Sequence, residues 1–129
     1  MDTSSDAASR FVAIDKLSDL LDYALKDFEA SGLELEACEW IENDCGCLAG
    51  GVMHQTFGLR RKAHIADFAE QPELYKRFDA ISYGLFGLVS GALAVLGQPL
   101  SEGYPERGIT EPRLEYVKRL IPWLRERGL

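Results

Sequence analysis

Between Arg10 and Ala30 the apolar residues Phe11, Ile14, Leu17, Leu21, Ala24, Leu25 and Phe28 recur every three or four positions. That spacing predicts an amphipathic helix. Asp15 or an earlier serine can cap it, which allows a break near Ile14. Ser31-Gly32 ends it. Asp19, Asp22, Asp27 and Glu29 lie mainly off the apolar stripe and predict a negative outward face. The pattern changes at Leu33. LELEACEW (33–40) alternates apolar and polar positions, a short strand signal. No downstream run matches it, so an extended segment lying across helices fits equally well. From Cys45 to Phe57 helical spacing resumes, with Leu48, Val52, Met53 and Phe57 on or near one face and Gly58 as a stop. Gly50-Gly51 within it cost about 1 kcal/mol each relative to Ala. Glycines there predict a close approach by another backbone, that of a central helix.

Leu59 to Ala69 holds Arg60, Arg61, Lys62 and His64 and fits a short helix or an ordered loop. Pro72 opens a helix with Leu74, Phe78 and Ile81 at helical spacing, which either runs on or breaks near Gly84. The most apolar run follows: AISYGLFGLVSGALAVLG (80–97), uncharged, with hydrophobic residues on all sides. Such a helix is either buried centrally or set in a membrane. A bilayer span needs about 20 mostly apolar residues, and Ser82, Tyr83 and Ser90 interrupt this run. The reading adopted is a central buried helix, with Gly84, Gly87 and Gly91 near one side to admit a neighbour. Residues 98–110 are rich in Pro and Gly and read as a loop. Thr110 caps a last helix with Pro112 in its first turn. Leu114, Val117, Leu120, Ile121 and Leu124 face the core there, and Pro122 kinks or splits it. Arg113, Lys118, Arg119, Arg125 and Arg127 make its outer side basic. The expected fold is mostly α: a bundle of about five helices around a buried Gly-rich helix, with at most one minor β element.

Length and charge sharpen this picture. The 129 residues fit one domain spanning 1–129, with residues 1–9 frayed. The net charge of −7 is uneven. Residues 1–44 hold 12 acids and 3 bases, a balance of −9, whereas residues 59–129 hold 9 acids and 11 bases, a balance of +2. An acidic third repels nucleic acid and anionic membranes and suits a basic protein surface. The start, MDTSSDAASR, lacks the basic and apolar regions of a secretory leader. Three cysteines, two of them separated only by Gly46, argue against a disulfide framework and for a reducing cytoplasm. No Gly-rich phosphate loop or dinucleotide fingerprint is present.

One stretch has a chemical look: Cys38, then Asp44-Cys45-Gly46-Cys47, then His54 and His64. A cysteine at a helix start has a stabilised thiolate and can serve as a nucleophile. Cys38, Cys45, Cys47 and His54 could also supply four zinc ligands, although Cys-X-Cys is tighter than the usual knuckle. The third reading is structural, since cysteine is among the most buried residue types. That reading is preferred.

The segment NDCGCLAGG (43–51) resembles the nucleophile segment of NlpC/P60 and papain-like proteins, in which an Asp-Cys pair opens the first core helix. The resemblance covers roughly Trp40 to Gly58 and implies a cysteine-dependent hydrolase or transferase using Cys45. In that family the catalytic histidine follows on a downstream strand. Here the last histidine is His64 and no β-like run follows it. CLAGG (47–51) is also similar to an element of small uncharacterised phage and bacterial accessory proteins, where a Cys-x-Cys-Leu-Ala-Gly motif opens a packed helix. That resemblance implies a source and no activity.

The function expected from the sequence is therefore a non-catalytic protein-binding module. In one version it is an acidic phage-type inhibitor that blocks the basic surface of a nucleic-acid-handling partner. The contact residues would be Asp15, Asp19, Asp22, Glu29, Glu34, Glu36 and Glu39. No cofactor, membrane or direct nucleic-acid contact is expected. A homodimer on glycine-lined helix faces is also allowed.

Overall fold

The computed structural model of this chain describes residues 9–35, 41–42, 45–58 and 71–129. Among them the chain is mostly helical. Residues 9–12 form a helical turn, α1, so the frayed start expected for residues 1–9 does not extend to Ser9. Then follow α2 (Leu17–Ser31), α3 (Leu48–Phe57), α4 (Pro72–Leu85), α5 (Val89–Val95) and α6 (Arg113–Glu126). Three two-residue strands, β1 (Glu34–Leu35), β2 (Ile41–Glu42) and β3 (Cys45–Gly46), make the minor β element. Their order is β1-β3-β2. β1 pairs with β3 in parallel, Glu34 opposite Cys45, and β2 pairs with β3 in antiparallel, Glu42 opposite Cys45. Glu34 and Leu35 of the Leu33 run thus find their partner at Cys45-Gly46, which is too short to show alternation.

The first periodic stretch does break near Ile14, and α2 starts at Leu17 without a side-chain cap. The backbone N–H of Ser18 instead donates to the carbonyl oxygen of Leu129, 3.2 Å away, so residues just beyond α6 close the start of α2. Gly32, at φ 73°, ends α2 as its sequence predicts. The helix buries Leu17, Leu20, Leu21, Ala24, Leu25 and Phe28. Burying a leucine fully is worth about 1.5–3 kcal/mol, which makes this stripe a large part of the folding energy.

The apolar run is buried, with Ala80, Ile81, Leu85, Val89, Ala92 and Leu93 inaccessible, but it is not one helix. Gly87, at φ 80°, stops α4, and the N–H of Leu88 closes back on the carbonyl of Tyr83 at 2.8 Å. This is a glycine-dependent helix stop. The same closure recurs at Gly97, where Gln98 N–H donates to Leu93 O at 2.9 Å. Gly87 is thus a turn residue rather than a packing contact in a continuous helix. The turn leaves Phe86 41% and Leu88 52% exposed. Two helices share the centre: α2 touches α3, α4 and α6, and α4, which holds the first part of the run, touches α2, α3, α5 and α6.

The glycines mark how closely the helices meet. A Cβ on Gly51 would lie 2.6 Å from the Cα of Phe28, so the backbone that Gly51 admits is that of α2. A Cβ on Gly84 would meet a methyl of Leu21 at 2.9 Å. Phe11 is fully buried, and its ring joins α1 to α2, α3 and α4 through Tyr23, Phe57 and Phe78, at centroid distances of 5.6, 5.7 and 5.2 Å.

At the C-terminal end Thr110 is not the cap. α6 starts at Arg113 with Pro112 in the cap position. Pro122 does not split α6. It is exposed, and on an exposed face the carbonyl that a proline leaves unbonded can tilt toward water. Among the described residues no helix is long and apolar enough to cross a membrane.

Candidate functional site

The acidic residues assigned to partner binding divide into three groups. Four of them already face cations. Asp15, in the α1–α2 link, pairs with Arg77 at 3.0 Å. Asp19 lies 3.7 Å from Arg125. Asp22 lies 3.0 Å from Lys26 and 3.7 Å from Arg125. Glu29 stands 4.0 Å from Lys118. The basic edge of α6 is thus laid along the acidic edge of α2. The second group is Glu34 alone, exposed at the start of β1. The third, Glu36 and Glu39, lies outside the described residues, as do Cys38, Arg60, Arg61, Lys62 and His64.

The thiol stretch is rearranged relative to its expected form. Cys45 lies in β3, and α3 starts three residues later at Leu48. Cys47, not Cys45, takes the N-cap position of α3. Its side chain is buried. His54 is half-buried on the same helix, and its Nδ1 has no hydrogen-bond partner among the described residues. Seven positions separate it from Cys47, which is about 10 Å along a helix axis. No three His, Cys, Asp or Glu side chains among the described residues stand close enough to hold a metal ion together. The zinc set of Cys38, Cys45, Cys47 and His54 rests in part on side chains outside those residues.

Two polar clusters were missed by reading the sequence. In the first, Thr56 Oγ1 on α3 donates to Asp27 Oδ2 on α2 at 2.5 Å, and Tyr23 Oη lies 2.8 Å from the same Oγ1. Burial pushes the Asp27 carboxyl up from its usual range, and the Thr56 hydrogen bond partly opposes that. Asp27 is therefore not part of the outward acidic face. It is turned toward α3. Nothing in its spacing betrays this, because Thr56 is 29 positions away.

The second cluster centres on Arg77, the one charged side chain buried among the described residues. Its Nη1 donates to Glu73 Oε2 at 2.7 Å and its Nη2 to Asp15 Oδ1 at 3.0 Å. Hydrogen bonds from Arg77 and then Lys76 hold the Glu73 carboxyl below its usual range. Here the sequence did carry a signal. Arg77 falls three positions after Leu74 and four before Ile81, on the apolar stripe of its helix.

Compared with known proteins, the chain matches no family model, and no curated protein or solved structure matches it significantly.

Proposed function

We propose that this chain is a non-catalytic protein-binding module that presents carboxylates to a basic partner surface, of the kind that otherwise holds nucleic acid. Its principal contact is the acidic segment from Glu34 to Asp44. The supporting observation is where the counter-charges lie. The carboxylates of α2 face Arg125, Lys118 and Lys26 within the molecule. The segment from Glu34 to Asp44 holds five carboxylates and neither Lys nor Arg. A run of like charge with no cation between its carboxylates in sequence is what attracts a partner's arginines. Exposed ion pairs are worth only about 0–1 kcal/mol each, so Asp19, Asp22 and Glu29 can exchange partners and contribute second.

The test uses a labelled deca-arginine peptide, with binding followed by fluorescence anisotropy at low and high salt. The triple variant Glu34→Lys, Glu36→Lys, Glu39→Lys should weaken binding by at least about tenfold, and Asp19→Lys, Asp22→Lys by only about two- to threefold. Absence of saturable binding by the natural chain would remove the proposal. So would an equal loss in the two variants.

A further inference from the structure

Arg77 stands on the inner stripe of α4 and is 7% exposed. An apolar side chain would pack there without the cost of desolvating a charge. The guanidinium is also incompletely used. Nη1 serves Glu73 through its carboxylate and its carbonyl oxygen, at 2.7 and 3.3 Å. Nη2 serves a single oxygen of Asp15. The Nε–H is buried without a hydrogen-bond partner among the described residues. Nε and Nη2 form one edge of the guanidinium, a fork that takes both oxygens of a carboxylate. Of these two nitrogens only Nη2 has a partner among the described residues.

Arg77 lines an open groove of about 570 Å³, together with Asp15, Glu73, Lys76 and the turn from Ala94 to Gly97. The volume lies within the range of small-molecule sites. Two carboxylates and two cations line it, together with the apolar side chains of Ala94, Val95 and Leu96. Asp15 is 77% exposed and sits in the link between α1 and α2, so its side chain can turn outward.

We propose that this groove binds a free α-amino acid with an apolar side chain. The ligand's carboxylate displaces Asp15 and fills both positions of the Arg77 fork. Its ammonium pairs with the displaced Asp15 carboxylate, and its side chain lies on Ala94, Val95 and Leu96. The charge count selects the zwitterion. A plain carboxylate would strand Asp15 without a counter-ion, and a plain amine would leave the fork half filled. The site is separate from the Glu34–Asp44 segment and does not depend on the protein-binding reading.

Calorimetric titration of the natural chain with L-leucine, 4-methylpentanoate and isopentylamine tests it. Leucine should bind saturably, and each single-charge analogue at least about tenfold more weakly, the loss of one charge-assisted contact. Asp15→Asn should weaken leucine by about tenfold, and Arg77→Met should abolish its binding. If circular dichroism shows Arg77→Met unfolded, Arg77→Lys takes its place. It keeps the charge without the fork and should also lose about tenfold. Lack of saturable leucine binding overturns the proposal. So does equal affinity for leucine and 4-methylpentanoate, or unchanged leucine affinity in Asp15→Asn.

Discussion

Helix α2 meets α3 on one flank and α6 on another. Where it meets α3, Gly51 lets backbone touch backbone at Phe28, and Thr56 ties Asp27 to Tyr23 in a half-buried cluster. Where it meets α6, Val117, Leu120, Ile121 and Leu124 are buried, and exposed pairs from Arg125 and Lys118 run along the rim. The first contact depends on shape, and shape cannot be exchanged. The second joins an apolar seam to charges that water and salt can take over. The same helix therefore has one flank that fixes geometry and another whose rim is held by exchangeable ion pairs.

Breaking the shape-dependent flank should have the largest effect. Gly51→Ala places a Cβ against the backbone of Phe28, which no rotamer change can relieve. The strain outweighs the gain in helix propensity, and the expected net loss is about 2 kcal/mol in denaturant unfolding. Thr56→Val should cost about 1 kcal/mol, because it leaves Asp27 and Tyr23 without their shared hydroxyl.

The same cluster should respond to pH. The folded carboxyl of Asp27 titrates above the unfolded one. Its contribution to stability is therefore fully present below the unfolded pKa and is lost as pH rises through the folded pKa. Unfolding curves of Asp27→Asn and the natural chain, compared from pH 3 upward, should diverge in favour of the variant as pH rises above the usual aspartate range. A constant difference would remove the role given to burial.

The smallest effect belongs to the rim of the α6 flank. A double-mutant cycle between Arg125→Ala and Asp22→Ala should give a coupling below about 1 kcal/mol that shrinks in salt. A larger, salt-insensitive coupling would make that rim as fixed as the α3 contact.

Reading the sequence located most helices because their signals are local. The apolar stripe of α2, its stop at Gly32 and the start of α4 at Pro72 all follow from neighbouring residues. The run from Ala80 to Gly97 misled for the same reason. Its composition is apolar throughout, so it reads as one central helix, yet Gly87 adopts a left-handed turn there and divides it. Of the candidate contact surface, the acidic edge of α2 was legible as a charge pattern. Its neutralisation by α6 was not, because Asp19 and Arg125 are 106 positions apart.

By itself, then, the chain determined its helical class, the faces its helices bury and the uneven spread of its charge. These depend on periodicity and composition over a few turns. Only the tertiary structure decided that α2 and α4 share the centre, that Gly51 meets Phe28, that Asp27 turns inward and that Arg77 meets Asp15 through Nη2 while its Nε has no partner among the described residues. Each of these joins residues far apart in sequence. Packing selects which faces meet, and the charges on those faces then take the partners that packing places beside them.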